Sequence, residues 1–346
     1  MSVQYLTAKK GTLEFDQLIR GSFSKTQRAL PVQNLRVGAE DEVVTFEIVE
    51  VAKISSSSLF QIFKEFLPIK KLLFVLFPIF YFSLRDFNKP VISGTELIFI
   101  IVGLVLSLLA VQIQIDVRDF ISGYDRIRGV LGQKVMQKGF RTVQQLELDF
   151  KKITCAAAVT AILPLVVEPK RIFAVVVATL LFIFGYKMGV SRKNRLNRDF
   201  ALALIAGPCL AYGILPVASS LLFGCVWSFF VFFVLQLEHF QHYFAQTEAG
   251  EKNLITLRSF DQAPRIIWWL WGLSLLVYVL MRMATSQLFL WIGSVLILLV
   301  LSFKWRKSLL HLKSPAGSEI EKITLVGYQL YFAFMGLWIV ELLFQA

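Results

Sequence analysis

Residues 98–125, IFIIVGLVLSLLAVQIQIDVRDFISGYD, join two kinds of sequence. Up to Ile115 the side chains are almost all apolar, and the run is long enough to cross a bilayer, which takes about 20 apolar residues. Asp116, Asp119 and Asp125 follow where such a helix leaves the membrane. The first half sets the expected fold, and the second half sets the expected chemistry.

The rest of the chain repeats the apolar pattern. Of 346 residues, 56% are hydrophobic and 17% are charged, with a formal charge of +12. A soluble protein would be about half apolar and about a quarter charged. Nine apolar blocks are expected to span the membrane, at roughly 66–84, 96–115, 148–167, 171–188, 199–218, 220–237, 264–282, 286–303 and 322–344. The first begins too late in the chain for a cleaved signal peptide, so insertion through the first helix is expected. The predicted fold class is all-α, a polytopic membrane bundle of nine transmembrane helices over residues 59–346.

Residues 1–58 are polar and mixed and are assigned to a cytosolic N-terminal extension. Within them DEVVTFEIVEV, 41–51, alternates as one β-strand, and SSSS at 55–58 has the composition of a linker.

Short connections alternate with long ones at 116–147, 189–198, 238–263 and 304–321, which puts the long loops on one side of the membrane. That side collects Arg118, Arg126, Arg128, Lys134, Lys138, Arg141, Arg192, Lys193, Arg195, Arg198, Lys304, Arg306, Lys307 and Lys313. The other side has little beyond Arg85, Lys89, Lys170, Arg171 and Arg282. Positive charge marks the cytoplasmic side, so the N-terminus and long loops are expected inside and the C-terminus outside a bacterial-type cytoplasmic membrane. Topology accounts for most of the basic excess, and no nucleic-acid partner is expected. Cys155, Cys209 and Cys225 lie inside apolar blocks without paired spacing, and are expected as small buried residues.

Asp116 and Asp119 are three apart and point the same way on a helix. Gly123 permits a turn that brings Asp125 toward them. Clustered carboxylates repel unless a cation lies between them, and Mg2+ favours a few carboxylates together with phosphate oxygens. Arg126, Arg128 and Lys134 would suit the rest of a polyphosphate head group. A solvated helix end is the plainer reading of the same residues. Almost every charge lies at a helix end, which speaks against an ion-coupled transporter.

In order and spacing these motifs resemble the UbiA superfamily of intramembrane prenyltransferases, and most closely its 1,4-dihydroxy-2-naphthoate (menaquinone) branch. IDVRDFISGYD, 115–125, is similar to that branch's N-D-x-x-D-x-x-x-G-x-D, with Ile115 in place of Asn. KVMQKGF, 134–140, is similar to R-x-x-Q-x-G, with Lys134 in the basic position. RDFALALIAGPCLAYG, 198–213, resembles the family's acidic-to-Gly-Pro helix through Asp199, Gly207, Pro208 and Gly213. FLPIKKLLFVLFP, 66–78, is similar to its first helix. The resemblance covers residues from about 60 to 344.

The resemblance implies prenyl transfer from a polyprenyl diphosphate to a small aromatic acceptor within the lipid bilayer. Asp116 and Asp119 would be catalytic, and with Asp125 would hold Mg2+. Arg126, Lys134, His242 and Lys252 would contact the diphosphate. The family's second motif, roughly D-x-x-x-D-x-x-x-G-K-x-T-L, corresponds here to HYFAQTEAGEKNLITL, 242–257. Gly250 and Lys252 have counterparts, but His242 and Gln246 replace the two aspartates. Three outcomes stay open: catalysis with one Mg2+, use of another metal, or binding of a diphosphate lipid without reaction.

Glu238, His239 and His242 have helical spacing compatible with a metal, yet E-H-x-x-H is not the zinc-peptidase order H-E-x-x-H. Both histidines read equally as interfacial hydrogen-bonding groups. WWLW at 268–271 reads as an interfacial aromatic belt, and Trp291, Trp305 and Trp338 are expected in the same role.

Overall fold

A computed structural model describes residues 4–20, 27–32, 42–50, 76–82, 93–122, 142–190, 195–285, 290–312 and 317–344. Its contacts divide the chain into two units. One comprises the described residues up to 50 and those from 98 to 163; the other comprises the described residues from 76 to 97 and from 164 to 344.

The first unit contains strands β1 (Gln4–Lys9), β2 (Gln27–Pro31) and β3 (Val43–Glu50), and helix α1 (Leu13–Arg20). The strands form an antiparallel sheet in the order β1-β3-β2, with Thr7 opposite Thr45 and Ala29 opposite Ile48. One strand was expected here, and three are present. In β3 the alternation is strict, so Val44, Phe46 and Ile48 face inward. The flanking strands are too short and mixed to show a period of their own. Phe15 of α1 meets Phe46 edge-on at 5.8 Å, and Leu18 and Ile19 join the same core.

That core continues onto α2 (Gly94–Ser122) and α3 (Val143–Val167). Leu109, Ile113, Val117 and Phe120 recur at helical spacing along α2, and Val143 and Leu146 open α3. Two capping boxes explain why these helices start where they do. Ser93 Oγ accepts from the Glu96 amide at 3.2 Å, while the Ser93 amide donates to Glu96 Oε2 at 2.9 Å. Thr142 and Gln145 make the same reciprocal pair at 3.1 and 3.2 Å. Gly103 of α2 lies so close to Thr160 of α3 that an added Cβ would sit 2.9 Å from its hydroxyl.

The second unit holds α4 (Arg171–Val190), α5 (Arg195–Leu204), a π-helical turn (Ile205–Cys209), α6 (Leu210–Ile214), α7 (Ala218–Gln241), α8 (Tyr243–Glu248), α9 (Ala263–Thr285), α10 (Leu290–Leu310) and α11 (Gly317–Leu343). The predicted block 199–218 is therefore a helix interrupted at Pro208, which has no N–H to give and crowds the carbonyl four residues back. The Gly207–Pro208 step lies directly against α7. A Cβ on Gly207 would fall 2.3 Å from the Gly224 carbonyl oxygen, and one on Gly224 would fall 2.4 Å from Pro208 Cα. Two backbones meet here with nothing between them, the close approach that small residues permit in membrane helices.

Among the described residues, five helices are long and apolar enough to cross a membrane: α2, α3, α7, α9 and α11. The expected nine are not reached by this criterion. The α5–α6 segment is broken, α4 offers only a shorter apolar stretch, α10 carries Lys304, Arg306 and Lys307 near its end, and the expected block 66–84 lies outside the described residues except for 76–82. Val159 and Val166 of α3, Phe173 and Leu180 of α4, and Val300 of α10 are exposed apolar side chains. Helices this apolar on their outer faces belong to an integral membrane protein, because lipid covers what water would reject.

The interior of the second unit is aromatic. Phe77, Phe223, Trp227, Phe334 and Trp338 interlock, with Phe77 stacked on Trp227 at 4.2 Å and Phe230 stacked on Phe334 at 3.8 Å. Trp271, Trp305 and Trp338 are buried, so the interfacial expectation fails for these three. Trp271 donates to Ser302 Oγ at 2.7 Å and Trp305 to the Ile323 carbonyl at 3.0 Å, partners that let an indole be buried. The cysteines also differ from expectation: Cys155 and Cys225 are exposed and Cys209 is half-buried, all free thiols.

Candidate active site

The two carboxylates that the sequence singles out lie in the last turns of α2. Asp116 and Asp119 are 7% and 3% exposed. Gln112, one turn earlier, donates from Nε2 to Asp116 Oδ1 at 3.2 Å. From Ile113 onward the helix packs against the first unit's core through Ile113, Val117 and Phe120, and the carboxylates lie to one side of that stripe. They are thus enclosed at a membrane-helix end rather than spread on a solvated face.

Asp125, Arg126 and Lys134 lie outside the described residues. No group of three or more metal-ligating side chains forms among the described residues. The pair that is described still fits a hard divalent cation. Mg2+ is typically held by one or two carboxylates, with phosphate and water oxygens completing the shell.

The second-motif residues belong to the other unit. His242 is half-buried at the junction where α7 ends and α8 begins. Lys252 is exposed on the following loop, and its carbonyl accepts from the Arg195 amide at 3.1 Å. The loop begins with a Schellman cap on α8: the Gly250 amide bonds the Thr247 carbonyl at 3.0 Å and the Glu251 amide bonds the Gln246 carbonyl at 2.9 Å. Gly250 has φ +68°, so a Cβ there would be strained although space is open. Glu251 is buried and pairs with Arg195 at the start of α5.

Gln246 turns inward, into a network that sequence reasoning did not foresee. Its polarity can be followed outward from the backbone. Asn253 Oδ1 accepts from the amides of Ile255 and Thr256, each at 2.9 Å. Its amide nitrogen is therefore the end that donates to Gln246 Oε1, at 2.8 Å. Gln246 Nε2 then faces His239 Nδ1 at 2.9 Å and donates to it. This leaves His239 Nε2–H to donate to Asp199 Oδ2 at 2.7 Å. Gln236 also donates to Oδ2 at 3.1 Å, and Arg198 donates to Oδ1 at 3.0 Å. Asp199, Gln236 and Asn253 are wholly buried. His239, noted in the sequence for metal spacing, is thus turned to Asp199. The missed signal was Asn253, whose N-x-x-T spacing with Thr256 closes the loop through two further bonds, Asn253 N to Thr256 Oγ1 at 3.0 Å and Thr256 Oγ1 to the Glu251 carbonyl at 2.6 Å.

The position of Asp199 opposite Gln236 and His239 follows from the helix crossing. α5–α6 and α7 run antiparallel, and the Gly207–Gly224 contact fixes their register two turns away from Asp199. The Gly-Pro motif and the acidic residue before it thus form one structural device.

No protein-family model matches the chain, and no curated protein matches it. A solved structure of a UbiA homologue from Archaeoglobus fulgidus, bound to GPP and Mg2+, is similar over 80% of this chain and 99% of that one, with 12% sequence identity and a TM-score of 0.49.

Proposed function

We propose that the chain is an intramembrane prenyltransferase of the UbiA type, transferring a prenyl group from a polyprenyl diphosphate to a small aromatic acceptor. The menaquinone branch is the reading favoured by the order of motifs from Asp116 to Gly213. The observation that carries the proposal is the enclosed pair Asp116 and Asp119, one turn apart at the end of a long apolar helix. In this reading nine helices span the membrane, residues 1–58 form a cytosolic extension, the site and N-terminus face the cytoplasm and the C-terminus lies outside.

Asp116, Asp119 and Asp125 would hold Mg2+, which when bound supplies positive charge to a diphosphate leaving group. Arg126, Lys134, His242 and Lys252 bind the remaining diphosphate oxygens. In the transfer, the allylic C–O bond breaks, an acceptor ring carbon forms the new C–C bond, and the ring loses a proton. Apolar walls keep water from the allylic cation before the acceptor attacks.

The test is Mg2+-dependent release of pyrophosphate and formation of prenylated product, offered farnesyl and longer diphosphates with dihydroxynaphthoate or hydroxybenzoate. Asp116→Ala and Asp119→Ala should each lower turnover by more than about 100-fold, since even outer-shell partners of metal ligands are worth about 10–100-fold. Turnover that survives both substitutions overturns the proposal.

A second reading has its own support: a relative that binds an isoprenoid diphosphate without reaction. Both ends of the Gln246 amide are engaged by His239 and Asn253, so this side chain does not replace a metal-binding carboxylate. Asp116-dependent binding of farnesyl diphosphate, with no product from any acceptor, selects this reading.

A further inference from the structure

The start of α9 and the end of α10 enclose a cavity of about 580 Å³ that the prenyl-transfer reading does not use. Phe260, Pro264, Trp268, Trp269, Leu310 and Leu312 form its apolar walls, and Arg265, Arg306 and Asp261 its charged ones. The two helices are antiparallel here, with Trp268 facing Phe303 at 6.4 Å and Trp305 at 6.5 Å between ring centroids. The Arg306 guanidinium lies over the Trp268 ring, 5.6 Å from its centroid. A stacked guanidinium keeps its N–H edge for two oxygens of an anion, while its face is used by the indole. Trp269 is 73% exposed beside it.

Below the cavity, along the same two helices, the outward side chains are apolar and exposed: Leu273 and Leu276 on α9, and Phe303 and Val300 on α10. Cationic guanidinium groups above, tryptophan between and aliphatic surface below match the layers of a phospholipid in order: phosphate, glycerol and acyl chain. Lys304 and Lys307 on the last turns of α10 add to the positive field, against Asp261, the one carboxylate among the described residues of the lining.

We propose that this cavity binds the phosphate head group of an anionic bilayer phospholipid, with Arg265 and Arg306 as its ligands and Trp268 and Trp269 bracketing the glycerol region. The occupant is a lipid of the surrounding membrane, not the reacting diphosphate. Arginine recognises phosphate through paired N–H donors, and tryptophan favours the head-group level of the bilayer.

The full chain, purified in detergent, is mixed with phosphatidylglycerol or with phosphatidylcholine of the same acyl chains, and its unfolding temperature is recorded. Phosphatidylglycerol should raise Tm above the phosphatidylcholine value by on the order of 2–4 °C, the mass-action gain of about a tenfold difference in affinity. The variant Arg265→Gln/Arg306→Gln should lose most of that difference, and retention of it in full overturns the proposal. An equal shift from inorganic phosphate or pyrophosphate also overturns it, assigning the pocket to soluble anions. Should the double variant fail to fold, Asp261→Asn is the second test. Removing the carboxylate should widen the difference between the two lipids, and an unchanged or narrowed difference overturns the proposal.

Discussion

Asn253 shows how one side chain can set the orientation of three others. Two backbone amides hold its oxygen, and the donor-to-acceptor order then runs through Gln246 and His239 to Asp199. Asn253→Ala should orphan the Gln246 carbonyl and two buried amides, at a cost of about 1–3 kcal/mol, measured by thermal unfolding in detergent. Asn253→Asp keeps an acceptor for the amides but sets a second acceptor against Gln246 Oε1. Relief requires the Gln246 amide to turn over and His239 to take up a proton at Nδ1, so that the imidazolium donates to both Gln246 and Asp199. Asp should therefore also unfold at a lower temperature than the parent at alkaline pH, where that proton is not supplied, and full rescue there would refute this polarity. Lys252 is different in kind. Its side chain is exposed, so Lys252→Gln should leave the unfolding free energy within about 0.5 kcal/mol of the parent, as exposed substitutions do. In the proposed reaction the same substitution should raise KM for the diphosphate donor in a steady-state assay.

Helices α5–α6 and α7 show why a Gly-Pro pair stands where it does. The proline opens a π-helical turn, and Gly207 and Gly224 let the two backbones touch. Gly224→Ala places a Cβ 2.4 Å from backbone atoms of Pro208, which cannot be relieved by a side-chain rotation. The helices must separate, at about 1–3 kcal/mol or more, and the Asp199–His239 contact two turns away should loosen with them. Gly213→Ala is the control, because its Cβ would meet Ala174 Cβ at 3.5 Å, ordinary contact distance. Thermal unfolding should separate the two variants clearly. Equal stability would mean that the close crossing does not set the register of these helices.

Across the second unit, charge is buried in pairs that span distant parts of the chain. Arg171 reaches Glu96 at 2.8 Å, and Arg282 reaches Glu341 at 2.5 Å, where Tyr278 also donates at 2.6 Å. Glu341 and Arg282 are nearly inaccessible, so each is tolerable only because the other is present. Arg282→Met or Glu341→Leu alone should cost about 3–5 kcal/mol, while the double replacement should recover most of that loss. A double-mutant cycle on unfolding free energies checks this. Additive losses would show that the two groups are not coupled.

The membrane character, the five long apolar helices and the placing of Asp116 and Asp119 on one helix were legible in the sequence because they rest on local order. An apolar run needs no partner to declare itself, and two carboxylates three apart share a helix face whatever surrounds them. The alternation of Val44, Phe46 and Ile48 announced its strand for the same reason. What the tertiary structure alone decided depends on neighbours far away in the chain. Trp271, Trp305 and Trp338 look interfacial by position, yet hydrogen-bond acceptors on adjacent helices admit the first two to the core, and ring contacts with Phe77, Phe223 and Tyr278 enclose the third. The same holds for Cys155 and Cys225, which an apolar context suggested were buried although their helices turn them outward. His239, Gln246 and Asn253 carry no periodic signature, since their meaning lies in the direction of hydrogen bonds. That direction exists only once the backbone of residues 253–256 has closed and α5 lies against α7.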